Sequence, residues 1–254
     1  MQAQPTPALP FGARLQLGVQ RGVARLLSPI TTFAVAALLR FWLRLSVEDG
    51  RRIRRSYAEI QRKNDAPLLI CGNHLTMIDS ALIACALAHP AWYVRHFSAL
   101  PWNVPERRNF ASTWVRRVLA YVYKCIPIVR GGSREQISGA LARFTYLLQR
   151  GDVGLIFPEG RRSRSGRIDP ENIAYGVGRI VRSVPGCRVM CVYLRGDQQE
   201  SYSVAPARGD RLRVSLSFVE PKTDHAGLRG SYDVTRQIVA RLTQMEQEYF
   251  DGRQ

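Results

Sequence analysis

Lysine is almost missing from this sequence: three of its 37 basic residues are lysines, and all the others are arginines. Acidic residues number only 20, so the formal net charge at pH 7 is +17. A charge of this size indicates an acidic partner, which would be nucleic acid, an anionic membrane surface or a phosphorylated substrate. The charge alone does not choose among these three classes.

Cysteine and histidine are too few and too scattered to indicate a disulfide framework or a metal site. The five cysteines include no CxxC pair, and none lies at zinc-ligand spacing to any of the four histidines. They fall in apolar stretches, which is typical of buried thiols in a reducing compartment. These spacings indicate no metal site. Separately, no bound cofactor is expected. The cysteines are Cys71, Cys85, Cys125, Cys187 and Cys191.

Long hydrophobic runs are also missing. The longest uncharged stretch, Leu26–Leu39, has 14 residues and contains Pro29, whereas a transmembrane helix needs about 20 apolar residues. Arginines and aromatic residues surround this stretch, which is typical of helices that lie in the interface of an anionic membrane. We expect a pair of such helices. The alternative is a buried helical hairpin of the core, where the flanking arginines would be unfavourable.

The chain divides into three regions. Residues 1–10 are polar and rich in proline, lack the basic start of a signal peptide, and are expected to be a disordered lead-in. Residues 11–63 are expected to form the amphipathic helical segment that associates with the membrane. From residue 64 to residue 254, short apolar runs alternate with helical patterns. This alternation predicts an α/β fold, a largely parallel or mixed sheet covered by helices.

The expected elements of the third region can be read from its hydrophobic pattern and its turn residues. Ser133 and Gln136 have the spacing of a capping box, which predicts a helix start at that point. The predicted strands are Leu68–Cys71, Trp92–Phe97, Val153–Phe157, Arg188–Leu194 and Leu212–Val219. The predicted helices are Thr76–Ala88, Ser133–Gln149, Ile173–Arg182 and Asp233–Tyr249.

One histidine lies where the chemistry of an α/β protein is expected. Asn73 and His74 directly follow an apolar strand, and Asp79 lies five residues after His74, near the start of a helix. Ligands of open α/β sheets bind at the carboxyl ends of strands. An imidazole there suits a general base, and a carboxylate in reach would fix its tautomer. The alternative is that Asp79 only caps the helix, because Thr76 and Asp79 also have capping-box spacing.

Arginines follow two other strand ends. Glu159 and Gly160 lie in the loop after the Val153–Phe157 strand, together with Arg161 and Arg162. This composition indicates a phosphate site, and the alternatives are a solvated basic loop or a nucleic-acid patch. Arg130 precedes two glycines after a further extended segment, where it is suited to hold a phosphate. In isolation, that position would be interpreted as an ordinary strand end.

Taken together, these residues resemble the glycerolipid acyltransferase family, which contains lysophosphatidic acid and glycerol-3-phosphate acyltransferases. The first family block, Asn-His-x4-Asp, is similar to the run from Asn73 to Asp79. Phe157–Ser163 resembles the third block, Phe-Pro-Glu-Gly-Thr-Arg-Ser, except that Arg161 replaces the threonine. Arg130 resembles the arginine that ends the second block. The resemblance covers roughly residues 65–220 and implies that residues 64–254 are the acyltransferase domain.

The resemblance implies direct acyl transfer without an acyl-enzyme. His74 would be the general base, supported by Asp79. The donor would be acyl-CoA or acyl-carrier protein, and the acceptor would be a lysophospholipid or glycerol phosphate. No nucleic acid is expected, and the protein would associate with the cytoplasmic face of a membrane as a monotopic or peripheral protein. The residues expected to hold the loop or bind the acceptor are Asn73, Arg130, Glu159, Gly160 and Arg162.

Three departures from the family pattern concern the acceptor side. They are Arg161, Val129 in place of an acidic residue, and the missing proline in Val189–Leu194. They leave open an acceptor other than a glycerophosphate lipid. A different class of function also stays open, namely a non-catalytic protein that binds anionic membranes or nucleic acid through its arginines.

Overall fold

The computed structural model describes residues 9–63, 66–110, 112–129, 131–171 and 173–252. Its helices are α1 (Phe11–Ala37), α2 (Gly50–Lys63), α3 (Asp79–Leu87), α4 (Pro90–Arg95), α5 (Arg107–Phe110), α6 (Trp114–Val122), α7 (Arg134–Gln149), α8 (Gly176–Ser183) and α9 (Gly227–Asp251). A π-helical turn, Leu38–Trp42, continues α1, and a 3₁₀ turn, Phe97–Ala99, follows α4. The strands are β1 (Ser46–Val47), β2 (Leu68–Gly72), β3 (Trp102–Asn103), β4 (Gly154–Ile156), β5 (Arg188–Gly196) and β6 (Arg211–Val219).

The described strands form one mixed sheet in the order β1-β6-β5-β2-β4-β3. All neighbours are parallel except β5 and β6, which are antiparallel. This confirms the predicted α/β fold with a largely parallel or mixed sheet. Strand β2 lies between β4 and β5, with Cys71 opposite both Ile156 and Cys191. The segments that follow these three parallel strands therefore leave the same edge of the sheet.

Helices cover both faces of the sheet. One buried cluster joins the sheet to α7, α8 and α9, and includes Phe144, Val177 and Ile238. The other joins it to α2, α3 and α4, and includes Tyr57, Ile83 and Tyr93. Strand β2 is buried along its whole length, as expected of a central parallel strand covered on both faces. The capping box at the start of α7 is confirmed, since both of its hydrogen bonds are present.

The expected strand Trp92–Phe97 is wrong. This segment is α4 followed by the 3₁₀ turn. Its aromatic residues favour a strand, but Pro90 occupies the first helical position, where its fixed φ and missing N–H are favourable. The helix then lets the Tyr93 hydroxyl donate to the Ala84 carbonyl and lets Trp92 stack on His96 one turn later.

The expected pair of N-terminal helices is also wrong. Residues Phe11–Trp42 form one continuous helix of 32 residues, long and apolar enough by length and composition to cross a membrane. Pro29 lies inside it and cannot donate to the carbonyl of Arg25, four residues earlier. The Ser28 hydroxyl donates to that carbonyl instead, at 2.8 Å. The helix therefore continues through the proline.

Helix α1 is attached to the rest of the protein through buried polar groups. The Gln20 side chain donates to the carbonyls of Tyr121 and Cys125 at 3.1 and 3.0 Å. Arg21 pairs with Asp152, which also contacts the fully buried ammonium of Lys124 at 3.3 Å. Burial lowers the pKa of Lys124 to about 7, although Asp152 opposes the shift. One face of α1 is thereby held against the domain, where it packs on α4 and α6.

Candidate active site

The loop that follows β2 is fixed by Asn73. Its buried amide donates to the carbonyl of Leu194 at 3.0 Å and accepts from the backbone N–H of the same residue at 2.8 Å. This pair of bonds continues the β2–β5 ladder by one step with a side chain in place of backbone. The chain can therefore leave the sheet at His74 while it stays attached to β5.

His74 and Asp79 are in direct contact. The Nδ1 atom of His74 lies 2.9 Å from Oδ2 of Asp79. The imidazole also stacks on the ring of Phe157, with 4.1 Å between ring centroids. With Nδ1 bound to the carboxylate, Nε2 is the ring nitrogen that remains available for a substrate. The two neighbours fix both the tautomer and the plane of the ring.

Asp79 also shapes the loop that carries His74. Its Oδ2 accepts the backbone N–H groups of Leu75 and Thr76 at 2.6 and 2.8 Å, and its Oδ1 accepts the Thr76 hydroxyl at 2.6 Å. The expected helix Thr76–Ala88 consequently begins only at Asp79, because these bonds hold the preceding residues in a turn. The Asp79 carboxylate thus contacts the His74 imidazole and also binds the backbone before α3, so both interpretations of Asp79 from the sequence apply.

The loop after β4 is bonded to the His74 loop. The buried Glu159 carboxylate accepts the backbone N–H of His74 at 3.3 Å and also accepts the Ser163 hydroxyl. In return, the N–H of Ser163 donates to the carbonyl of His74 at 2.8 Å. Gly160 has φ +65°, a left-handed conformation that favours glycine. Burial raises the pKa of Glu159 to about 7, against the hydrogen bonds from Ser163 and His74.

The arginines of this loop line a cavity that His74 also lines. Arg162 lines the cavity, and its guanidinium lies 5.5 Å from the centroid of the Tyr202 ring. Arg161, which replaces the threonine of the family block, pairs with Asp169 at 3.3 Å, and both side chains are exposed. Arg130 lies outside the described residues, so its predicted place in the site stays a prediction.

The cavity has a volume of about 1560 Å³. His74, Glu159 and the loop arginines line part of it. Much of the remaining lining is apolar and comes from α1, α3, α6 and the ends of β3 and β4, with Val35, Ala84, Val104, Leu119 and Leu155 among the residues. One cavity is therefore lined by the imidazole of His74, by several arginines and by an extended apolar surface.

Cys71 lies close to His74 in sequence but is buried in β2. Burial raises its pKa well above the ordinary value of a thiol, which suppresses the nucleophilic thiolate. Among the described residues, no group of three or more His, Cys, Asp or Glu side chains is placed to hold a metal ion.

Tyr202 was not predicted from the sequence. It lies between β5 and β6, and it lines the cavity beside Arg162. No motif marks it. Only the order of the strands indicates its position: β5 is parallel to β2, so the segment after β5 leaves the sheet at the same edge as the His74 loop.

A model of the Acyltransferase family matches residues 47–195, more than half of the chain. The chain belongs to this acyltransferase family. The match includes Asn73, His74, Asp79, Glu159 and Gly160, and it ends before Tyr202. None of the curated proteins matches the chain significantly.

Membership of the family establishes acyl transfer in lipid synthesis as the general activity of this acyltransferase. An acyl donor and a lipid acceptor are its general partners. The geometry is compatible with that chemistry, since an imidazole with its Nδ1 held by a carboxylate can take a proton at Nε2.

Proposed function

We propose that this acyltransferase transfers a fatty acyl group from acyl-CoA or acyl-carrier protein to a hydroxyl of a lysophospholipid or glycerol phosphate. The contact between Asp79 and His74, whose imidazole lines a cavity with both cationic and apolar residues, is the observation that carries the proposal. A phosphorylated head group requires the cations, and a fatty acyl chain requires the apolar surface.

His74 is the general base in this proposal. Nε2 takes the proton of the acceptor hydroxyl while the oxygen attacks the thioester carbonyl. The tetrahedral intermediate then collapses, the C–S bond breaks, and the imidazolium returns its proton to the leaving thiolate. Asp79 stabilises the imidazolium at a distance of 2.9 Å. Neither a covalent acyl-enzyme nor a metal ion is part of this sequence of steps.

The acceptor head group is assigned to the loop after β4. Arg162 lines the cavity and supplies a planar donor for phosphate oxygens. Glu159 and Gly160 shape the loop, because Glu159 accepts from both His74 and Ser163 and Gly160 adopts a positive φ. Arg130 is proposed as a second phosphate ligand on the strength of the sequence resemblance alone. Asn73 keeps the His74 loop attached to β5.

The apolar part of the cavity is assigned to the acyl chain. Its lining by α1, α3 and α6 gives an aliphatic chain contact on several sides. The volume exceeds the roughly 300–1,000 Å³ typical of sites for small molecules, as a site for a head group and a long chain requires.

The membrane is assigned to the exposed face of α1. Large apolar side chains recur there at helical spacing and remain exposed, while the opposite face packs on the domain. A helix held along the domain in this way fits an in-plane position better than a span, which supports a monotopic or peripheral protein. Neighbouring arginines suit the anionic cytoplasmic leaflet. The exposed apolar residues of α1 and of the π-helical turn that continues it are Phe11, Leu15, Val19, Leu26, Ile30, Phe33, Leu38, Phe41 and Trp42.

The test is acyl transfer from labelled acyl-CoA and acyl-carrier protein to a panel of acceptors, with wild type beside His74→Ala. The panel contains glycerol-3-phosphate, lysophosphatidic acid, other lysophospholipids and lyso-amino-acid lipids. General base catalysis contributes about 10²–10⁴-fold, so His74→Ala should lose at least about 100-fold in kcat. His96→Ala is the matched control, because His96 is an exposed histidine that does not line the cavity.

Transfer to a phosphorylated acceptor that is lost only in His74→Ala supports the proposal. Near-wild-type turnover by His74→Ala would exclude the mechanism. Transfer only to an acceptor without phosphate would replace the proposed substrate class and leave the acyl transfer in place.

A further inference from the structure

The segment between β5 and β6, residues 197–210, forms part of the active-site cavity although it lies beyond the range that matches the family model. Tyr202 is the residue of this segment that lines the cavity. The guanidinium carbon of Arg162 lies 5.5 Å from the centroid of its ring, within the distance of a cation–π interaction. The ring therefore contacts the arginine assigned to the acceptor.

Backbone hydrogen bonds hold this segment against the His74 loop. The N–H of Ser203 donates to the carbonyl of Leu75 at 3.0 Å, and the N–H of Met77 donates to the carbonyl of Val204 at 3.1 Å. Tyr202 directly precedes these contacts. Its backbone position is consequently fixed relative to the imidazole of His74.

The same segment is attached to the arginine loop by one buried side chain, Arg195. Its Nε donates to the carbonyl of Gln199 at 2.9 Å, and one terminal nitrogen donates to the carbonyl of Glu200 at 3.1 Å. The other terminal nitrogen donates to the carbonyl of Gly166 at 2.5 Å. A single guanidinium thus sets the distance between the Tyr202 segment and the loop that carries Arg162.

We propose that Tyr202 is a positioning residue for the acceptor head group: its ring holds the Arg162 guanidinium toward the phosphate of the bound acceptor. This inference rests on the proposed function. An arginine has many rotamers, and a ring on one side reduces them before the anion binds. The hydroxyl of Tyr202 has no part in the proposal, so phenylalanine should replace tyrosine.

The experiment compares wild type with Tyr202→Ala, Tyr202→Phe and a control, Phe218→Ala. Phe218 is a half-exposed ring that also lies near an arginine, Arg188, but it does not line the cavity. Steady-state kinetics are measured with lysophosphatidic acid as the varied acceptor and then with the thioester as the varied donor.

Loss of an exposed cation–π contact corresponds to about a two- to fivefold change in binding. Tyr202→Ala should therefore raise the KM for lysophosphatidic acid about two- to fivefold, with kcat and the donor KM unchanged. Tyr202→Phe and Phe218→Ala should match wild type. The inference is overturned if Tyr202→Ala lowers kcat alone, if it changes the donor KM equally, or if Tyr202→Phe behaves like Tyr202→Ala.

Calorimetric titration of lysophosphatidic acid into the same four proteins separates this inference from the proposed function. If wild type binds lysophosphatidic acid but transfers no acyl group to it or to any other phosphorylated acceptor of the panel, the proposed function fails. Binding that weakens two- to fivefold in Tyr202→Ala still supports the role of Tyr202. If wild type and Tyr202→Ala bind lysophosphatidic acid equally, or if wild type does not bind it, the role of Tyr202 is overturned.

Discussion

Replacement of Asp79 by asparagine tests whether its charge, rather than its shape, supports His74. The amide oxygen of the new side chain would take the place of Oδ2, which accepts from His74, Leu75 and Thr76. The amide nitrogen would then face the Thr76 hydroxyl, which can rotate to accept. The variant should keep the loop and the imidazole orientation while it loses the negative charge.

The size of the effect follows from the geometry. The Nδ1 and Oδ2 atoms are 2.9 Å apart, which places the centres of the two charges about 4 Å apart. Two unit charges at about 4 Å interact by about 4 kcal/mol at an effective dielectric constant near 20. This corresponds to about 10³-fold in rate, and solvent at the partly exposed imidazole reduces it. We expect kcat to fall by about 10²–10³-fold.

The assay is kcat for acyl transfer to the best acceptor of the panel, together with thermal unfolding. The matched control is Asp233→Asn, which removes the same charge from a histidine–aspartate pair at the surface, where His225 Nδ1 lies 2.7 Å from Asp233. The control should leave kcat unchanged. If Asp79→Asn retained kcat within fivefold and remained folded, electrostatic support of His74 would be refuted.

Three further predictions address the head-group loop, the membrane face and the acyl site. Burial raises the pKa of Glu159 to about 7 in the folded protein. The folded state therefore favours the protonated carboxyl, and this stabilisation is fully present below the pKa of Glu159 in the unfolded chain. It is lost as pH rises through about 7, because the buried carboxyl then ionises. The melting temperature of Glu159→Gln should exceed that of wild type increasingly from pH 5 to pH 8, and parallel curves would contradict this. Leu26 and Ile30 are 79% and 70% exposed, and their joint replacement by aspartate should reduce binding to anionic vesicles at least about 100-fold, unlike Leu228→Asp on α9. Ala84 lines the cavity, so Ala84→Leu narrows it and should lower kcat/KM about tenfold for a palmitoyl donor but little for an octanoyl donor. Equal losses with the two donors would place the acyl chain elsewhere.

The sequence determined those features that depend on neighbours along the chain. The apolar runs that form β2, β4, β5 and β6 were predicted within one to two residues at most ends. The spacing from Asn73 to Asp79 placed a base and a carboxylate within reach of each other, because both lie in one turn after a strand. The arginine excess is likewise a property of the composition and needs no contact to reveal it.

Tertiary structure decided the features that depend on contacts distant in sequence. Glu159 meets the backbone of His74 across 85 residues because β2 and β4 are parallel neighbours, and neither loop alone indicates that bond. Similarly, Tyr202 reaches the site only through the pairing of β5 with β2. Local pattern misassigned Trp92–Phe97 because its aromatic residues favour a strand while Pro90 and the packing against α3 favour a helix. Sequence spacing reports which side chains share a turn, whereas the order of strands in the sheet reports which turns share a site.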